Sequence, residues 1–189
     1  MEELIMALVM MLANGFEEIE ALGTLDLLRR AGVEVATCTL NTTPLTLGAH
    51  GIAVEAELCL TELDSTQFDG VILPGGLGGS QALAATQGVL ELIKEYDAAG
   101  KLVCAICAAP ALVLTAAGIL PRRPATCYPA PDFTAALGTE YRREKAVVSG
   151  NLITAEGPGR FKDFARAIIV KVKGEEAARQ TFADALLED

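Results

Sequence analysis

The sequence predicts an α/β fold, a mostly parallel sheet covered by helices on both faces as a three-layer sandwich. Three observations carry that reading. Short apolar runs alternate with longer amphipathic stretches along the chain. The short runs are apolar throughout, as strands buried on both faces are. Helix-stop signals stand directly before two of them, "RRAG" before Val33 and "AAGK" before Leu102, where glycine can adopt the left-handed cap. Strand–helix order of this kind needs crossover connections and hence parallel pairing. At 189 residues, 51% of them hydrophobic, the chain is read as one domain over 1–189 with a complete core.

In chain order, residues 4–11 form the first strand. The acidic start "MEELIMALVMML" lacks the basic flank of a signal peptide. Residues 17–31 form a helix and 33–39 the second strand. The Thr-rich stretch 42–57, with Gly48 and Gly51, reads as a β-hairpin excursion. Strand 71–73, helix 88–99, strand 102–106 and helix 108–117 follow. Residues 102–120 are nearly free of polar side chains and approach the length of a membrane span. Pro110 in their middle and turn signals at both ends favour a buried strand running into a buried helix. Residues 146–149 and 152–155 flank Gly150-Asn151, a two-residue hairpin turn, and 160–173 form a further helix.

A net charge of −10 argues against nucleic acid or an anionic membrane as partner, since both require a basic footprint. The five cysteines are scattered without framework spacing, which points to reduced thiols and a cytoplasmic protein. No metal is expected, because there is one cysteine pair and a single histidine, His50. The Gly-rich segment lacks the registers that cradle nucleotide phosphates, and no cofactor is expected.

Ligands of such sheets bind beyond the carboxyl ends of the strands, where strand order reverses. Those ends carry residues 14–20, 74–79 and 105–110. The last contains "LVCAICAAP", with Cys104 and Cys107 three apart. A strand rises about 3.3 Å per residue, so the two would stand about 10 Å apart on opposite faces, beyond the roughly 7 Å that a disulfide allows. Cys104 reads as a small core residue. Cys107 falls where strand gives way to helix, the layout of a nucleophile elbow. There the helix N-terminus favours thiolate. A cysteine among small residues is as often core as nucleophile, and the junction position tips the reading to function. Glycines of "LPGGLGG" at 73–79 let backbone N–H groups approach a ligand, although a plain turn explains them equally. In "NGFEEIEA", Glu17 and Glu18 suit the start of a helix. Glu20 shares an inward stripe with Thr24 and Leu27, where a buried acid with a raised pKa would face a thiol.

Taken in order, "NGFEEIEA", "VILPGG", "AICAAP" and "GPG" at 157–159 resemble the DJ-1 branch of the ThiJ/PfpI (DJ-1/PfpI) superfamily over essentially the whole chain, including a C-terminal helix near 175–187. The resemblance implies a flavodoxin-like fold, a homodimer and a reactive cysteine at the elbow. It maps the nucleophile to Cys107, the protonated glutamate beside it to Glu20, and an oxyanion pocket to the amides of Gly76 and Ala108. It implies cofactor-independent glyoxalase or deglycase chemistry on methylglyoxal, glyoxal or early glycation adducts. The alternative it offers is a redox-sensing or chaperone-like stress protein signalling through oxidation of Cys107. Ala108 stands where the protease-like branch has histidine, which argues against a peptidase. Tyr128 occupies the place of a histidine in human-type members; Tyr128 and His50 are the two auxiliary candidates. Tyrosine is a poor base near neutral pH, and a solvated loop is the simpler reading of His50.

Overall fold

Period-two alternation along strands buried on both faces sorts the core into two layers. The computed structural model of the chain describes residues 6–187; residues 4 and 5 of the first expected strand lie outside that range. The chain runs β1 (Ala7–Leu12), α1 (Glu18–Arg30), β2 (Glu34–Thr39), the short pair β3 (Leu45–Leu47) and β4 (Ala53–Glu55), then β5 (Leu58–Cys59) and β6 (Gly70–Leu73). It continues through α2 (Leu77–Ala85), α3 (Gln87–Ala98), β7 (Leu102–Ile106), a π-helical turn (Pro110–Leu114), α4 (Thr115–Ala117) and α5 (Pro131–Leu137). The hairpin β8 (Ala146–Ser149) and β9 (Leu152–Ala155) and the helices α6 (Phe161–Lys173) and α7 (Glu175–Asp184) complete it.

The seven-stranded sheet has the order β5-β2-β1-β6-β7-β9-β8. Every pairing is parallel except β8 with β9. On one face, Val9, Met11, Val71 and Val103 meet Ile93 and Tyr96 of α3. On the other, Leu8, Met10, Ile72 and Cys104 meet Leu28 of α1 and Phe164 of α6. This is the flavodoxin-like layering that the sequence predicts. Strand order reverses between β1 and its neighbours β2 and β6, which opens the crevice at their carboxyl ends.

Four details differ from the sequence reading. The expected helix 108–117 is a π-helical turn followed by one short turn of α-helix; Pro110 supplies no N–H to a regular ladder, and π-turns recur beside functional sites. The expected helix 160–173 begins at Phe161, with residues 158–160 forming a 3₁₀ turn. Leu77–Ala85 is helical despite Gly78 and Gly79, whose low propensity hides it within a segment read as loop. Pro131–Leu137 is a further helix, opened by proline at its first turn.

Phe164 is fully buried in the α1/α6 layer. Phe164→Ala is expected to lower the free energy of unfolding by roughly 3–5 kcal/mol, read from urea denaturation midpoints. A loss below about 1 kcal/mol would contradict this packing.

Candidate functional site

At the end of β7 the backbone turns through Cys107 with φ +66°, one of three non-glycine residues at positive φ among those described. A side chain there strains the backbone by about 1–3 kcal/mol. Two hydrogen bonds impose the turn: Cys107 N–H donates to the Ala155 carbonyl at 3.0 Å, and Tyr128 N–H donates to the Cys107 carbonyl at 2.8 Å. Strand alternation would have placed Cys107 opposite Cys104. The elbow instead swings it back, and it packs partly against the layer that contains Cys104. All five cysteines are free, and Cys107 alone of them is not buried. The C-x-x-C spacing makes no bridge.

Glu20 projects from the first turn of α1 and is fully buried. Its Oε2 accepts the Gly75 N–H at 2.8 Å, while Oε1 makes no regular hydrogen bond; the neighbouring Cys107 thiol couples to this carboxyl. Gly75 separates the pair, and a Cβ there would overlap both Cys107 Cβ and Glu20 Oε2. Gly76 stands at φ +84°, and a side chain on it would run into the backbone of residues 15–17. The "PGG" doublet is therefore required by space, and it leaves the Gly76 N–H facing the sulfur together with that of Ala108.

Burial is the largest influence on Glu20 and pushes its carboxyl up to about 7, against the pull of hydrogen bonds from Cys107 and Gly75. Burial also pushes the Cys107 thiol above its usual range; the Glu20 carboxylate adds to that, and the amides of Gly76 and Ala108 oppose it. The thiolate expected from the helix N-terminus alone is thus corrected. Two amides do not outweigh burial and a facing carboxylate. Protonation of Glu20 removes the repulsion that its carboxylate exerts on the sulfur, which eases loss of the thiol proton. The protonation of Glu20 thus governs how readily the neighbouring thiol ionises. Cys38 and Cys127 are also pushed up to about 12, by burial first and then by nearby acidic groups.

Tyr128 reaches this place and His50 does not. Seen from the position of a Cβ on Gly157, the Tyr128 ring lies 3.1 Å away at Cδ2 and Cys107 Sγ lies 3.9 Å away. Ring and sulfur therefore border one small space. His50 is exposed at the tip of the β3–β4 hairpin, its Nδ1 2.8 Å from Glu18 Oε2. Glu18, read from sequence as an acid suited to the helix start, is buried. It accepts the N–H groups of His50 at 2.7 Å and Ile52 at 3.4 Å. Burial raises its pKa, and the bonds from His50 and Ile52 outweigh that and bring it to about 2. The hairpin is latched to the start of α1, with Ala49 N–H on the Phe16 carbonyl at 2.8 Å. Sequence gave no sign of the latch, since its partners lie 32 residues apart. Among the described residues, Glu17, Glu18 and His50 form the one group with metal-ligand spacing, within 4.8 Å of one another. The latch already engages its His50 and Glu18 donors. No helix among the described residues is long and apolar enough to cross a membrane.

The model of the DJ-1/PfpI family matches residues 6–171. The chain is 36% identical over 171 residues to DJ-1 homolog B of Arabidopsis thaliana, covering 89% of this chain and 38% of that longer protein. It therefore spans about two fifths of that relative. It is 35% identical over 170 residues to a Caenorhabditis elegans protein named glutathione-independent glyoxalase DJR-1.2, covering 90% of each. The crystal structure of oxidized DJ-1 from Toxoplasma gondii superposes with a TM-score of 0.91 at 30% identity, covering 96% of this chain and 98% of that one.

The raised Glu20 carboxyl has a sign that can be measured. Between about pH 4.5 and 7 the folded chain keeps a proton that the unfolded chain has released. Stability from this group therefore falls as pH rises through that window, by about 3 kcal/mol in all. Glu20→Gln is expected to remove the fall, so its stability relative to the parent grows from pH 5 to pH 8. Parallel stability profiles would show that Glu20 ionises normally.

Proposed function

Given that the chain belongs to the DJ-1/PfpI family, we propose that it is a cysteine-dependent, cofactor-independent glyoxalase. Its substrates are methylglyoxal and glyoxal, and deglycation of early glycation adducts is a related activity of the same site. The observation that carries this reading is the sulfur of a strained Cys107, set between two backbone amides and a buried Glu20 that holds a proton near neutral pH. The name of the nematode relative supports the choice of reaction.

The thiolate attacks the aldehyde carbon of methylglyoxal, forming a C–S bond while the carbonyl π electrons move onto oxygen. The Gly76 and Ala108 amides stabilise that oxyanion, and Glu20 delivers the proton that makes the hemithioacetal. Glu20, now a carboxylate, removes the hydrogen from the former aldehyde carbon. The electron pair passes to the ketone oxygen as an enediol, and reprotonation at the second carbon gives a thioester of the 2-hydroxy acid. Water then adds at the thioester carbon, the C–S bond breaks, and lactate leaves with the thiol restored. One carbon is oxidised and its neighbour reduced, so no external oxidant is consumed. Tyr128 takes the place of a histidine base, and Glu20 carries the proton transfers.

A second reading is oxidation of Cys107 as the signal of a stress-response protein. It is favoured by Cys107 being the one cysteine that is not buried. Limiting peroxide would then add two oxygens selectively at Cys107, detected by mass spectrometry; oxidation spread over all five thiols would remove this reading. The assembly we propose is a homodimer acting in the cytoplasm, for which the exposed Ile19, Leu47 and Ile52 offer apolar surface.

Cys107→Ser is expected to reduce lactate formation from methylglyoxal to the background rate. Glu20→Gln should lower kcat by about 100-fold or more. Equal turnover by the parent and Cys107→Ser would end the glyoxalase reading.

A further inference from the structure

Tyr128 stands at the edge of the site, beside the sulfur. The residue is 46% exposed, so it is a surface rather than a core aromatic. Its backbone N–H is committed to the Cys107 carbonyl at 2.8 Å, which fixes the root of the side chain to the elbow itself. Its ring edge lies 3.1 and 3.7 Å from the point where a Cβ on Gly157 would stand, a point 3.9 Å from Cys107 Sγ. The point beside Gly157 is thus 3.9 Å from the sulfur and too near the ring to take even a Cβ without a shift, so ring edge and sulfur border the same Gly157 surface. Leu77, directly after the Gly76 whose amide faces the sulfur, is also exposed.

A phenol is a poor proton acceptor near neutral pH. What Tyr128 brings to this space is a flat apolar surface with one hydroxyl at its far end. Aromatic contacts favour offset or edge-to-face arrangements, worth about three- to tenfold in affinity beyond simple burial. An aldehyde whose carbonyl carbon sits on the sulfur has its ketone substituent adjacent to it. A methyl group there gains little from a ring wall, whereas an aryl group gains a stacking partner.

Resting on the glyoxalase reading above, we infer that Tyr128 determines specificity, and that the site prefers 2-oxoaldehydes carrying an aromatic or comparably broad apolar group on the ketone carbon. Tyr128 acts through binding and takes no proton.

The test compares phenylglyoxal with methylglyoxal as substrates of the parent, Tyr128→Phe and Tyr128→Ala. The parent is expected to favour phenylglyoxal in kcat/KM by about tenfold. Tyr128→Phe should keep that ratio, and Tyr128→Ala should abolish it through KM for phenylglyoxal with kcat little changed. A ratio unchanged in Tyr128→Ala, or a fall in kcat shared by both aldehydes, overturns the inference. A second readout does not require turnover: mandelate and lactate, the matching 2-hydroxy acids, compete with iodoacetamide for Cys107. Mandelate should slow alkylation several-fold more than lactate in the parent and no more than lactate in Tyr128→Ala. Equal protection by both acids in the parent overturns the inference. If neither aldehyde is consumed faster than by Cys107→Ser, the glyoxalase reading fails, and the alkylation ratio still decides the role of the ring.

Discussion

The left-handed turn at Cys107 is the constraint around which the site is organised. It is held by hydrogen bonds from two separate parts of the chain, the Ala155 carbonyl at the end of β9 and the Tyr128 amide. Without them the residue would relax toward the extended or helical backbone on either side, and the sulfur would follow. Because β9 is paired to β7 along its length, the turn is anchored in the sheet. The strain of about 1–3 kcal/mol is met by a rigid frame.

The turn matters because of what it brings together. Glu20 arrives from α1, the Gly75–Gly76 amides from the end of β6, and the Gly157 loop from beyond β9. Gly75 lets the thiol and the carboxyl meet across a space that a single methyl group would fill. In the resulting pair a buried acid faces a partly buried thiol, and each shifts the ionisation of the other. Two amides favour charge on the sulfur, and burial opposes charge on either group. The hairpin latch of Glu18 and His50 fixes the loop that leads into α1.

Much of this was legible in the sequence. Continuous apolar runs located the strands, and the transition from "LVCAI" to "CAAP" located the elbow. Helical spacing placed Glu20 inward, where the structure finds it. What escaped has physical reasons. Local propensity argues against a helix at Leu77–Ala85, where the glycines serve close approach to residues 14–16. The apolar run after Cys107 reads as a regular helix, while the chain takes a π-turn at Pro110–Leu114. The burial of Glu18 depends on a hairpin 32 residues away, which no local pattern encodes. The thiol was expected to be acidified by its helix N-terminus. Partial burial beside a carboxylate reverses that expectation, because burial and repulsion exceed the pull of two amides.

The coupling of Glu20 to the sulfur is most directly observed on Glu20 itself, by following its isotope-labelled side-chain carboxyl by NMR across pH in the parent and in Cys107→Ala. The predicted result is a titration near 7 in the parent. In Cys107→Ala the titration moves higher still, since the hydrogen bond from the thiol that favours the carboxylate is gone. A carboxyl that titrates in the ordinary range, or one indifferent to loss of the sulfur, would contradict the account.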